Sequence, residues 1–319
     1  MKSRKSQNIL ENTTIKKIGL GGCIIFLAVM MIPKGFWGGK QKIPSRILGI
    51  TRDATSQQSE VLGIKASPEL ASTKPAPKLG ALSSFAFDPQ SGTILYANNF
   101  DHELPIASLT KLMTALIVLK SASLDQVVAV KKSTTQPIGN SMGLVAGERI
   151  TVGDLLKGML ISSSNDAALT LADFVSGDAE KFVERMNIEA GLLNLNQTRF
   201  SNPVGYDSKE NYSTAHDLSR LVSEVIKNPV ISQIVKTRET TVASTDGKIS
   251  HKLTSTNKLL LTRLNITGIK TGFTSQSQGS LIVRMQDGNK DIVTIILGSP
   301  DRETDSEKLL DWVLSVYNW

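Results

Sequence analysis

Three short polar motifs follow one another along this chain: Ser108-Leu109-Thr110-Lys111, Ser163-Ser164-Asn165 and Lys270-Thr271-Gly272. A serine and a lysine three residues apart on a helix share a face, one turn apart. In that geometry a neutral amine can take the hydroxyl proton and leave a nucleophilic serine. The second motif adds a hydroxyl and an amide, and the third adds an ammonium and a hydroxyl beside a glycine. Such a set suits acyl transfer: attack on a carbonyl, shelter for an oxyanion and a proton for the departing amine. Taken singly the motifs are weak, since Ser-x-x-Lys recurs at Ser255–Lys258 and Ser-x-Asn at Ser6–Asn8 and Ser255–Asn257.

Context separates the set from its decoys. Ser108 follows Pro105-Ile106-Ala107 and opens a run in which Leu109, Leu112, Met113, Leu116 and Ile117 have the spacing of a buried helix face. A serine at that helix start lies near the positive end of the backbone dipole. Ser255 has no such setting. Gly139-Asn140-Ser141-Met142-Gly143 matches the nucleophile elbow Gly-x-Ser-x-Gly, which requires a buried strand before it and a helix after it. Pro137 argues against that strand and Gly147 against that helix, so Ser141 is read as a loop residue.

Around these motifs the periodicity predicts strand, turn and strand over Ser83 to Tyr96, with Asp88-Pro89-Gln90-Ser91-Gly92 as the turn. A helical middle runs from Ser108 to about Val235, with helices at Gly153–Ile161 and Asp166–Val175. Late strands at Ser280–Gln286 and Asp291–Leu297 join through Asp287-Gly288-Asn289, and an amphipathic helix over Asp305–Val316 closes the chain. Strands at both ends with helices between imply one sheet built from both ends of the domain. The expected fold is therefore mixed α+β, an antiparallel sheet flanked by helices with an inserted helical subdomain.

The 319 residues carry a net charge of +7, unevenly spread. Residues 1–79 hold 13 Lys and Arg against 4 Asp and Glu, whereas residues 80–319 hold 23 against 25. The basic excess belongs to the leader, which excludes a nucleic-acid footprint on the folded part. Residues 1–17 read as a basic cytoplasmic N-terminus and 18–37 as a membrane signal-anchor. The anchor reading rests on an uncharged run from Ile18 to Ile32 followed by Lys34, Phe36 and Trp37. A cleaved signal peptide has a core of this length, but no small-x-small site follows it. Residues 38–79, with Pro68, Pro75 and Pro77 among Ser, Thr, Ala and Lys, read as a flexible stalk, and 80–319 as the catalytic domain. Cys23 is the only cysteine, so no internal disulfide forms. His102, His216 and His251 show no metal spacing and read as structural; neither metal nor cofactor is expected.

The motif set resembles the penicillin-binding and serine β-lactamase superfamily. Pro105-Ile-Ala-Ser-Leu-Thr-Lys-Leu-Met-Thr-Ala-Leu, Ser163-Ser-Asn-Asp-Ala-Ala, Thr198-Arg-Phe-Ser-Asn-Pro-Val-Gly, Ser213-Thr-Ala-His-Asp-Leu and Gly268-Ile-Lys-Thr-Gly-Phe-Thr look like the low-molecular-weight D-alanyl-D-alanine carboxypeptidases. That resemblance implies a DD-peptidase/β-lactamase-like fold and a penicillin-sensitive serine peptidase that removes the terminal D-Ala of peptidoglycan stem peptides. Within it, Ser108 attacks the penultimate D-Ala carbonyl and Lys111 is the base, neutral because burial and Lys270 depress its pKa. Ser163 relays a proton to the leaving amine, and Asn165 binds the substrate amide and holds Lys111. Lys270 and Thr271 take the terminal carboxylate, Gly272 lets the strand approach substrate, and the amides of Ser108 and Phe273 form the oxyanion hole. Ser141 would border the groove. β-Lactams become covalent inhibitors at Ser108.

A class A β-lactamase would show Ser-Asp-Asn where this chain has Ser163-Ser164-Asn165. It would also show Glu-x-x-Leu-Asn, which Glu189 to Asn194 misses by one residue, so Glu189 reads as a solvated helix residue. Asp166 reads as a structural hydrogen-bonding residue at a helix start. The alternatives kept are an endopeptidase of the same fold, a β-lactamase and a non-catalytic wall-binding domain. Many members of the family add a β-rich domain and a C-terminal anchor helix. This sequence ends at Trp319 with the catalytic fold, so the N-terminal segment is expected to hold it to the bacterial membrane, with the domain outside the cytoplasm.

Overall fold

The computed structural model describes residues 67–319. The expected basic N-terminus, membrane segment and first part of the stalk lie outside the described residues. Among the described residues no helix is long and apolar enough to cross a membrane.

The central sheet has five strands: β1 (Ser83–Phe87), β2 (Ile94–Asn98), β3 (Ile266–Thr274), β4 (Gln278–Asp287) and β5 (Lys290–Ser299). Their spatial order is β3-β4-β5-β1-β2, all antiparallel. The first hairpin turns where Asp88 Oδ1 accepts from the amides of Gln90 and Ser91 and where Gly92 takes a positive φ. Asp287 pairs with Lys290 across Gly288-Asn289, a two-residue turn that needs the left-handed glycine. Both faces of the sheet are covered, so β1 and β5 are buried almost throughout rather than on alternate residues.

Among the described residues eight α-helices follow in chain order: α1 (Lys111–Leu119), α2 (Val152–Ile161), α3 (Asn165–Ser176), α4 (Ala179–Leu192), α5 (Ala215–Lys227), α6 (Pro229–Val235), α7 (Lys258–Thr262) and α8 (Arg302–Val316). Side-chain caps set several starts: Thr151, Asp178, Thr214 and Asp301 each accept from the amide three residues on. On the inner face Phe85, Ile282, Val293, Ile295 and Leu297 pack with Leu109, Leu112 and Met113 and with the helical lobe. On the outer face Ala86, Leu281, Val283, Ile292 and Ile296 pack against Leu309, Leu310 and Val313 of α8. Neighbours such as Ile292 and Val293 feed opposite layers, as the period of two demands.

The late strands, their turn and the closing helix occur where the sequence placed them, each extended by a few residues. β3 and a separate hairpin, Glu239–Ala243 with Ser250–Thr254, are further features for which the apolar periodicity gave no signal. The stalk expectation needs correction at its end. Glu69–Leu70 pairs with Tyr317–Asn318, the Ala71 amide donates to Val316 O at 2.7 Å, and Trp312 Nε1 donates to Lys74 O. Residues 67–79 therefore lie against the domain, because the edge beyond α8 offers unpaired backbone groups and aromatic surface to cover.

Candidate active site

Ser108 sits in a single 3-10 turn, Ala107–Thr110, that runs directly into α1, so it precedes the α-helix instead of lying on it. The turn keeps the three-residue spacing useful: Lys111 Nζ lies 2.9 Å from Ser108 Oγ. Ala107, just before the nucleophile, has φ +47, and Ser163 has φ +60. Left-handed backbone at non-glycine residues is strained and is held by its surroundings. At Ala107 those surroundings are glycines. A Cβ on Gly205 (φ +91) would overlap the Ala107 carbonyl, and one on Gly272 would stand 2.9 Å from Ile106 O and 3.3 Å from Ser108 N. Gly272 thus lets β3 approach the nucleophile turn, a close contact that the sequence did not announce.

Lys111 is completely buried, with Nζ also donating to Val204 O at 2.7 Å. Burial holds its pKa well below the ordinary lysine value, and the nearby charge of Lys270 adds to the shift. The carbonyl that meets it stands on a built platform. Asn202 Oδ1 accepts from the amides of Val204, Gly205 and Tyr206, which fixes the loop after Phe200. Pro203 O takes the hydroxyl of Thr114, one turn along α1 from Lys111.

Lys270 reaches across from β3. Its Nζ donates to Ser163 Oγ at 2.8 Å and to Thr271 O at 3.0 Å. Being 1% exposed, it lies behind the wall of the cleft, which corrects the expectation that it meets a carboxylate directly. Burial, with Arg302 nearby, pushes its pKa down to about 7. Thr271 does line the cleft, its hydroxyl 2.5 Å from that of Thr256. Arg302, at the start of α8, lines it too, anchored by a 2.7 Å bond to Gly272 O. Phe273, 71% exposed, stands at the rim.

Asn165 opens α3 and lines the cleft, but it makes no hydrogen bond to Lys111. Its Nδ2 donates to Ile138 O at 2.6 Å, its amide donates to Asn140 O, and its Oδ1 is buried without a partner. Lys111 is instead held by Val204 O, so the expected Asn165–Lys111 link is replaced by a tie between Asn165 and the 138–140 loop. Asp166 is structural as expected, with a larger task than a helix start. Its carboxylate accepts from Ser141 Oγ and from the amides of Met142, Gly143 and Leu144. This draws Ser141 to Asp166 and away from the cleft lining. His251 is structural as well, between Met142 O and Glu148. Glu189 is buried and paired with Lys120 at 2.5 Å, not solvated.

The cleft encloses about 670 Å³ and brings together Ser108, Ser163, Asn165, Thr271, Gly272 and Phe273, with Lys111 and Lys270 behind its wall. Thr256, Tyr206, Asp207 and Arg302 also line it and were missed from the sequence. Thr256 lies inside the decoy Ser255–Lys258, a signal that was discarded as a whole. Among the described residues no group of His, Cys, Asp and Glu could hold a metal ion.

This sheet, its inserted helical lobe and the two serine–lysine contacts define a DD-peptidase, penicillin-binding-protein fold. A sequence profile described as D-alanyl-D-alanine carboxypeptidase, the S11 peptidases, matches residues 70–301, and the chain belongs to that family. It is 32% identical over 246 residues to D-alanyl-D-alanine carboxypeptidase DacF of Bacillus subtilis, a match spanning 74% of this chain and 63% of DacF, less than two thirds of that relative. A D-alanyl-D-alanine endopeptidase of Pseudomonas aeruginosa is 34% identical over 256 residues, 76% of this chain and 82% of the relative. The crystal structure of the Streptomyces K15 DD-transpeptidase superposes with a TM-score of 0.72 at 29% identity, covering 76% of this chain and all of that one.

Proposed function

We propose that this chain is a penicillin-sensitive serine D-alanyl-D-alanine carboxypeptidase that removes the terminal D-Ala of peptidoglycan stem peptides through an acyl-enzyme on Ser108. The observation that carries the reading is Lys111: fully buried, held below its ordinary pKa, and 2.9 Å from Ser108 Oγ. A neutral amine there takes the serine proton as Oγ attacks the penultimate D-Ala carbonyl. The oxyanion then meets the Ser108 and Phe273 amides, in a cleft where water is partly excluded. The hydrogen bond from Lys270 polarises the Ser163 hydroxyl, which suits Ser163 to pass its proton to the departing D-Ala nitrogen as it regains one from Lys111. Thr271 and Arg302 suit the terminal carboxylate, with Lys270 adding positive potential from behind. Asn165 would bind the substrate amide once Ile138 O releases it. Water then hydrolyses the ester. β-Lactams acylate Ser108 by the same attack. The reading includes attachment to the bacterial membrane through residues 18–37, with the domain outside the cytoplasm.

Relatives named as endopeptidases, matched over 82% and 80% of their length, support a second reading, hydrolysis of D-alanyl cross-links by the same acyl-enzyme. The test is mass spectrometry of the protein after benzylpenicillin, with Ser108→Ala as control, beside an assay of D-Ala release from a monomeric pentapeptide. A stable adduct on Ser108 together with free D-Ala is the expected result. An adduct with cleavage only of cross-linked dimers would favour the endopeptidase. Penicillin consumed without an adduct, or no reaction at all, would sink both.

A further inference from the structure

His251 stands where a β-hairpin should bury an apolar side chain. In the strand Ser250–Thr254 every second residue turns inward, and His251 shares the buried face with Leu253, opposite Val242. Both ring nitrogens are used. Nδ1 lies 2.9 Å from Met142 O, an oxygen that only accepts, so Nδ1 carries a hydrogen. Nε2 lies 2.7 Å from Glu148 Oε1, and that contact holds with a proton between the two atoms. The pair is sealed, its side chains 4% and 0% exposed, whereas the other ion pairs of the hairpin, Lys252–Glu239 and Lys248–Asp246, are exposed. A buried pair adds little to stability over apolar side chains of the same size; what it can add is a fixed geometry.

The parts it fixes are the two walls of the cleft. On one side, Met142 belongs to the 138–148 loop. Asp166 holds that loop through the amides of Met142, Gly143 and Leu144. The Asn165 amide donates to Asn140 O, and Asn140 Nδ2 donates to Ser162 O, so Ser163 and Asn165 move with the loop. On the other side, two residues past the end of its strand, comes Thr256, which lines the cleft with its hydroxyl 2.5 Å from that of Thr271. Backbone contacts from Thr245 to Arg149 O and from Thr256 to Ile161 O join the same two parts, but neither reaches Met142.

We infer that His251 is a positioning residue for the acyl transfer: its two hydrogen bonds hold the Ser163–Asn165 wall in register with the Thr256–Thr271 wall. It touches no substrate itself. This rests on the DD-peptidase reading and adds a residue that acts from outside the cleft.

The experiment compares variants of the full chain with the wild type. In His251→Phe/Glu148→Met both partners become apolar, so no charge is left buried alone. In Glu148→Gln the amide nitrogen donates to Nε2 and its oxygen accepts from the Val145 amide, as Glu148 Oε2 does now, so both links survive without the charge. Well below each melting temperature, kcat and KM are measured for D-Ala release from a pentapeptide, beside the rate of acylation by benzylpenicillin. The double variant should lose about tenfold in kcat and in acylation rate with KM nearly unchanged, because misplaced groups act on the transition state. Glu148→Gln should match the wild type. His251→Gln, whose amide still reaches Glu148 but not Met142 O, should show the same kind of loss and decides the question where the double variant does not fold. Wild-type kcat in the double variant or in His251→Gln, with only a lower melting temperature, overturns the inference and leaves His251 structural. So does a Glu148→Gln protein as slow as the double variant, since its links are intact. A wild type that neither releases D-Ala nor is acylated overturns the peptidase reading and this one with it.

Discussion

Lys270 carries the clearest consequence at the scale of single residues. Its pKa is about 7 in the folded chain against an ordinary 10.5, because burial and Arg302 disfavour the ammonium. Between those values the unfolded chain binds the proton that the folded chain releases, so stability rises with pH across that window. It is lost as pH falls through about 7, below which the buried charge is fully present. Thermal melting from pH 7 to 10 should therefore show a rise that Lys270→Met reduces, buried Lys111 supplying the remainder with the same sign; an identical slope in both proteins would contradict the burial argument. For a carboxylate-ended peptide the same deprotonation weakens the potential behind Thr271 and Arg302. A falling limb of kcat/KM near pH 7 is expected, displaced upward in Lys270→Arg because a guanidinium keeps its proton. Ser108, Lys111 and Lys270 were legible because their short motifs have little other use. Arg302 and Tyr206 were not, since an arginine opening a helix and a tyrosine after Val-Gly are ordinary until the fold brings them to Ser108. Glu189 was misread for a similar reason: its partner, Lys120, stands just past the end of α1, far away in sequence.

At the scale of elements, the site is a meeting of a turn, a strand and a braced loop. Sequence periodicity found α1, the late strands and the closing helix because each buries one regular face. It could not find β3, whose Ile-Thr-Gly-Ile-Lys-Thr-Gly-Phe-Thr breaks its apolar residues with two glycines, one lysine and three threonines. That composition serves the contact between elements rather than the core. Gly272→Ala should report on it directly. The added Cβ would press on Ile106 O at 2.9 Å and push β3 off the nucleophile turn, moving the Phe273 amide away from Ser108. Acylation by benzylpenicillin should slow about 100-fold, as displacements of this size do, with melting temperature little changed. Acylation at the wild-type rate would show that β3 can shift without cost to the oxyanion site. The reading of Ser141 and Asp166 was right but incomplete at this same scale. Both were recognised as non-catalytic, but only the packed loop reveals that one anchors the other.

Across the whole molecule, the outer layer joins the two ends of the described chain. Residues 67–79 were read as stalk because proline, serine and lysine bury little, and that is true of their side chains. What holds them is backbone: the short ladder of Glu69–Leu70 with Tyr317–Asn318, and the Trp312 contact to Lys74 O. The consequence is mechanical. Tension arriving through the chain before Ser67 meets first a ladder of two residue pairs that opens from its end, one pair at a time. Within the central sheet β1 is held to β5 through five paired positions, Ser83 to Phe87, and to β2 on its other side. Pulling from that end in a force spectrometer should give a weak, reversible step of roughly 4 nm, the contour of the peeled segment, before the sheet yields. A single rupture with no such step would mean the segment bears load with the sheet. If the step occurs, this edge works as a mechanical fuse: it lengthens under strain while Ser108, Lys111 and β3 keep their places.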